Sequence, residues 1–241
     1  MKLSSLSEGL IMALKIEDIS QYLGQVIHDV YGRKLGVLVA IYSDVDGTVT
    51  SIDVAKNDES YENIPADRIE CCSEGIKIKP EWLVKAKKLE RKLNVVKRRM
   101  KALEDLYGRG QIPEHAYREL KERLSKELER CKKEANELRE ELRKRTYDLE
   151  NFVIKIEKAM TYVMVGFTAD EVPQKGFDTA MNYLRFAKQC ALEEKKDIEQ
   201  HADLITKLLD EINAVIEGSE TGSSIVTNIG EPLTVKVLGG E

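Results

Sequence analysis

Apolar side chains recur in alternating steps of four and three over more than half of this chain. Trp82, Ala86, Leu89, Leu93, Val96, Met100, Leu103 and Tyr107 form one such series, which keeps an apolar seam on one side of a slightly underwound helix. After Gly108 and Gly110 the series resumes at Leu124, Leu128, Cys131, Ala135, Leu138 and Leu142, passes through Arg145, and continues at Leu149, Phe152, Ile156, Ala159 and Val163. A third series reads Ala180, Leu184, Ala187, Ala191, Glu194, Ile198, His201, Ile205, Leu208, Ile212 and Val215, with its weakest stretch from Ala187 to His201. These series predict a coiled-coil region over 81–217, with helices at about 81–107, 113–165 and 178–217. The second would be roughly 80 Å long at the standard helical rise. Gly108 to Pro113 reads as a hairpin tip, because glycine releases one helix and proline pre-sets φ for the next.

Upstream the period changes to two. Gln25–Asp29, Leu35–Ser43, Val49–Ala55 and a short edge before Ile69 read as strands broken at Gly24, Gly32, Gly36 and Gly47. Asp46-Gly47 is a candidate type I′ hairpin. Several short antiparallel strands in 16–80 predict a small barrel, since closure removes exposed edges. Residues 1–15 form an N-terminal arm whose run Leu10–Leu14 suits either a first strand or a docking segment. At the other end, 218–228 has the Gly/Ser composition of a flexible linker. Beyond it, in 229–241, Leu233, Val235 and Val237 alternate on one face of an extended segment. An isolated strand cannot satisfy its own backbone groups, so this tail either adds to a partner's sheet, frays, or edges the chain's own barrel. The fold class expected is therefore α+β: a small N-terminal barrel, a long coiled coil and a flexible tail.

Charge is unevenly distributed. The net charge of −5 hides a middle block, 81–160, with 23 basic and 16 acidic residues. Lys85, Lys87, Lys88, Arg91, Lys92, Lys97, Arg98, Arg99 and Lys101 make a basic stripe on the first long helix. Such a stripe suits DNA phosphates, an anionic membrane surface, or the acidic residues of the neighbouring helices. No aromatic side chains interleave it, so any DNA contact would ignore sequence.

Chemistry is sparse. Cys71, Cys72, Cys131 and Cys190 lack metal-ligand spacing, and His28, His115 and His201 are scattered. Asp44-Val45-Asp46-Gly47 starts like a calcium loop, but Val49 and Ala55 stand where that loop needs Gly and Glu. Phosphate loops and nucleophile elbows are absent from the sequence. The expectation is a non-enzymatic protein with no cofactor, no metal and no small-molecule substrate. With no secretory signal pattern and no apolar run of membrane-spanning length, it is expected in the cytoplasm.

The pieces Leu23–Asp29, Gly32–Leu38, Asp46–Val49 and Ile64–Ile69, in that order, resemble a PRC-barrel. The whole layout, with coiled coil, linker and a terminal Pro-Leu-x-Val-x-Val strand, resembles the CdvA family of archaeal cell-division proteins. That resemblance implies a scaffold that forms homodimers and filaments, lies peripherally at the division-site membrane, and recruits the ESCRT-III homologue CdvB through that partner's winged-helix domain. The residues matching the recruiting peptide are Ile229, Glu231, Pro232, Leu233, Thr234, Val235, Lys236, Val237 and Leu238. The resemblance also carries DNA binding, for which the basic stripe is the candidate surface. The alternative reading is a nucleoid-associated coiled-coil protein that binds DNA without sequence preference.

Overall fold

A computed structural model describes residues 14–57, 60–72 and 75–223, with backbone alone over 218–223. It has two compact units. One takes the described residues up to Lys88 together with Glu137–Ala202; the other takes Leu89–Asn136 and the described residues from Asp203.

The first unit begins with a short helix, α1 (Ile16–Ile19), and six strands: β1 (Val26–Asp29), β2 (Lys34–Ser43), β3 (Val49–Asn57), β4 (Ser60–Pro65), β5 (Ile69–Cys72) and β6 (Gly75–Ile78). Their order in the sheet is β4-β3-β2-β1-β6-β5, and β1 with β6 is the one parallel neighbour pair of the five. Alternate residues turn inward, and Ile19, Ile27, Leu38, Ile52, Val54, Ile64 and Ile78 make a core with Val49, Ile69 and Ile76. Each fully buried Leu or Ile contributes about 1.5–3 kcal/mol of transfer free energy. At Gly36, β2 lies so close to β3 that a Cβ would sit 2.1 Å from the Ala55 carbonyl oxygen. Only glycine permits that approach. Leu14 and Lys15 lie beside the start of β3, where the Val49 N–H donates to the Leu14 carbonyl at 2.8 Å.

Two expectations need correction. The barrel is not closed: among the described residues β4 and β5 form no ladder. The single turn Ala66–Arg68 joins these two edge strands. Arg68 donates to the Lys79 carbonyl at 2.9 Å and pairs with Glu62 of β4 at 3.3 Å. The β2–β3 hairpin is also not type I′, because Gly47 alone has positive φ, at +77°. The Gly47 N–H bonds the Asp44 carbonyl and the Asp44 N–H bonds the Thr48 carbonyl, giving a type I turn followed by a glycine bulge. Asp46 selects it by accepting from the Thr48 N–H and hydroxyl at 2.9 and 2.8 Å.

Three long helices follow: α2 (Glu81–Gly108), α3 (Glu114–Thr168) and α4 (Gln174–Ser223). Pro113 and Pro173 stand immediately before α3 and α4 and set their first turns. As a result α4 starts four residues before Asp178, and its backbone continues through Gly218–Ser223, where the composition suggests a linker. Of the first apolar series, all but Tyr107 are buried. Tyr107 is 37% exposed and stacks on Tyr117 at the α2–α3 tip, with ring centroids 4.0 Å apart. Phe152 is exposed rather than buried.

The α3–α4 tip repeats the α2–α3 tip sixty positions later. Phe167 stacks on Phe177 at 4.3 Å, as Tyr107 does on Tyr117. Gly110 at φ +65° is matched by Asp170 at φ +58°; Ile112-Pro113 is matched by Val172-Pro173. The common pattern is aromatic, left-handed residue, aliphatic residue, proline, aromatic. This repeat is visible in the sequence once the two tips are aligned, and periodicity alone overlooks it.

Candidate functional site

The weakest stretch of the third apolar series holds the most elaborate polar cluster of the first unit. Glu194, on the inward face of α4 between Ala191 and Ile198, is fully buried. Three donors take its oxygens. Arg145 of α3 makes a two-pronged contact at 2.7 and 2.8 Å; Arg33, from the β1–β2 turn, approaches at 2.6 Å; the Trp82 indole N–H of α2 donates at 3.2 Å. Burial alone would raise the Glu194 carboxyl, but hydrogen bonds and charge from Arg145 and Arg33 outweigh it and hold the group below the ordinary carboxylate value.

Local sequence builds the turn that supplies Arg33. Asp29 ends β1, is itself buried, accepts from the Tyr31 and Arg33 backbone N–H groups at 3.0 and 2.8 Å, and pairs with Arg33 Nε at 2.6 Å. Gly32, at φ +86°, lets the turn lie flat against the Phe186 ring. Its neighbour Tyr31 donates to Asp197 at 3.2 Å and accepts, through its carbonyl, from Cys190 Sγ at 3.0 Å. Burial and then the Asp197 and Glu194 carboxylates push the Tyr31 phenol well above its usual range. The sheet is thus fastened to α4 through residues 29–33. A carboxylate whose lone pairs are all occupied and whose oxygens meet no solvent has nothing to offer a substrate. Its capacity is to fix register: one polar layer in an apolar seam penalises every alignment that strands a charge. Arg145 and Glu194 were both visible as charged residues in apolar series; that opposite charges interrupt two series was the available signal.

The nine candidate basic residues divide into two groups. Lys85 pairs with Glu81 and Glu141, Lys88 with Asp67, Lys92 with Glu134 and Lys97 with Glu211, at 2.6–2.9 Å. The structure places no acid within ion-pair distance of Lys87, Arg91, Arg98, Arg99 or Lys101 among the described residues. In the second unit Arg91 and Arg99 border a groove of about 910 Å³ between α2 and α3, and Arg123 borders it from the α3 side. The nine residues proposed as a recruiting peptide, Ile229 and Glu231 to Leu238, lie outside the described residues. No described helix is long and apolar enough to cross a membrane.

A family model described as the CdvA-like coiled-coil domain matches residues 81–226. The chain belongs to that family. The match starts at Glu81, the first residue of α2, so the CdvA-like region takes in all three long helices together with the Arg145–Glu194 layer. Cell division protein A of Sulfolobus acidocaldarius is 28% identical over 236 residues, which cover 94% of this chain and 99% of that protein. No solved structure matches the chain. The α+β class stands, as a six-stranded sheet followed by a CdvA-like coiled coil.

Proposed function

We propose that this chain is a non-enzymatic scaffold of archaeal cell division, peripheral to the division-site membrane on its cytoplasmic face. It assembles with copies of itself and recruits the ESCRT-III homologue CdvB through the segment that includes Pro232, Leu233, Val235 and Val237. The observation that carries this reading is the near end-to-end similarity to Cell division protein A, with the family match across α2–α4. The Glu194 layer supports a scaffold role, because it spends its charges on holding three helices and a sheet together rather than on a substrate. Deleting Pro232–Glu241 should abolish co-precipitation of a CdvB-type winged-helix domain while sedimentation still shows self-assembly. Loss of self-assembly as well would reject the assigned role of the tail.

A second reading, DNA binding without sequence preference, is favoured by the basic residues that lack an acidic neighbour. Reversing Lys87, Arg98 and Lys101 to Glu should then remove salt-sensitive gel shifts of duplex DNA; an unchanged shift rejects that surface.

A further inference from the structure

The second unit has a second heptad face that its own described helices leave open. On α2 the series Lys92, Val95, Arg99, Ala102 and Leu106 advances in steps of three and four, one position beside the buried series Leu93, Val96, Met100 and Leu103. On α3, Leu120, Leu124 and Glu127 face it across the groove, with Arg123 and Arg130 at the border. Leu106 and Leu120 are 39% and 43% exposed there. A groove with leucines at its floor, heptad spacing on both walls and a length of several turns has the form of a seat for one more helix.

Charge says which kind. Six basic side chains and one acid, Glu127, line the groove. Lys92 and Lys126 are occupied by Glu134 and Glu122, and Arg130 by Glu127. Among the described residues Arg91, Arg99 and Arg123 have no acidic partner, although their helices offer many acids elsewhere. An occupant that buries Leu106 and Leu120 must be apolar along one stripe, and one that lies between three unpaired arginines gains most from carboxylates on both flanks. Nucleic acid meets the second demand but not the first, because phosphates cannot cover leucines.

We propose that the α2–α3 groove binds an acidic amphipathic helix of a partner protein, with leucine-type residues on Val95, Leu106, Leu120 and Leu124 and carboxylates on Arg91, Arg99 and Arg123. This surface shares no residue with the C-terminal recruiting segment, and the proposal does not depend on the function assigned to that segment.

The test uses the full chain and a fluorescein-labelled 21-residue peptide of three heptads, with Leu at positions a and d, Glu at e and g, and Ala elsewhere, read by anisotropy. A matching peptide with Lys in place of Glu is the control. The Glu peptide should bind at least tenfold more tightly than the Lys peptide. Arg99→Glu with Arg123→Glu should weaken it at least tenfold, and so should Leu106→Ser with Leu120→Ser, both at unchanged helical circular dichroism. Lys87→Glu with Lys101→Glu, which lie off the groove, should change it less than twofold. Deleting Pro232–Glu241 should leave it unchanged, which separates failure here from failure of the recruiting role. Equal loss in the Lys87/Lys101 variant overturns the proposal in favour of a diffuse basic field. Full displacement by duplex DNA at equal charge overturns it in favour of nucleic acid. Tenfold tighter binding after removal of residues 224–241 overturns it in favour of the chain's own tail as occupant. A shift to smaller species in the Arg99/Arg123 variant without peptide assigns the groove to a second copy and likewise overturns it.

Discussion

The helical layers of the two units are filled by opposite means. In the second unit the fully buried side chains Leu93, Met100, Leu128, Cys131 and Ile212 are all uncharged. In the first, the layer containing Ala191 and Ile198 is built round Glu194 and its three donors. An apolar layer contributes stability but tolerates sliding by a heptad, since one leucine replaces another. A buried ion cluster contributes little net stability against an apolar alternative, yet admits only one alignment. In the first unit the sheet must dock as well as the helices, and Arg33 makes the sheet a party to the same contact.

Glu194 carries the largest difference between the two units. Replacing it by Ala leaves the buried Trp82 indole N–H without its acceptor, takes from half-buried Arg145 its two-pronged carboxylate and leaves Arg33 only Asp29, and should cost about 2–4 kcal/mol. Urea unfolding followed by Trp82, the sole tryptophan and a Glu194 partner, reads this directly; a loss under 1 kcal/mol would rule the cluster out as a clamp. Acid should act through the same residue. The lowered Glu194 value means that its contribution is complete above the unfolded carboxyl value of about 4.3 and disappears as pH falls through the folded value. The Trp82 signal should therefore collapse in acid in the wild type and change less steeply in Glu194→Gln. Identical profiles would show that other carboxylates govern acid unfolding.

Leu128→Ala probes the opposite design. It opens a cavity in a layer without charges and should cost about 2–5 kcal/mol, read as faster amide exchange across 89–136. Because the Glu194 cluster lies in the other unit, the Trp82 acid midpoint should not move.

The smallest effects belong to the two matching tips. Gly110→Ala forces a Cβ into a left-handed conformation and should destabilise by about 1 kcal/mol. Asp170→Gly relieves that conformation and should stabilise by no more than about 1 kcal/mol. Thermal unfolding of both variants tests whether tips of one pattern obey one rule, and shifts of the same sign would refute it.

Where the helices lie was readable because their requirement is local and periodic. A four-three series fixes which side of a helix is apolar, and Ala86, Leu93, Val96, Leu138, Leu142 and Ile212 are buried accordingly. The strands were readable from their period of two and from the glycines between them. Barrel closure was not, because pairing of β4 with β5 depends on sheet curvature; Arg68, in the turn between them, instead pairs with Glu62 and donates to the Lys79 carbonyl. For the basic stripe, sequence supplied the sign of the charge but could not say which lysines meet an acid across a helix pair.

By itself, the amino-acid order determined a sheet-forming N-terminal stretch, three long amphipathic helices, the proline-marked tip between the first two and a strongly basic α2. These follow from spacing within one segment. Only tertiary structure decided that Asp29, Arg33, Trp82, Arg145 and Glu194 form one cluster, and that Arg91, Arg99 and Arg123 share a groove whose one acid, Glu127, pairs with Arg130. Such arrangements join residues as many as 161 positions apart, from Arg33 to Glu194. A buried charge is stabilised by donors in space, whatever their distance along the chain.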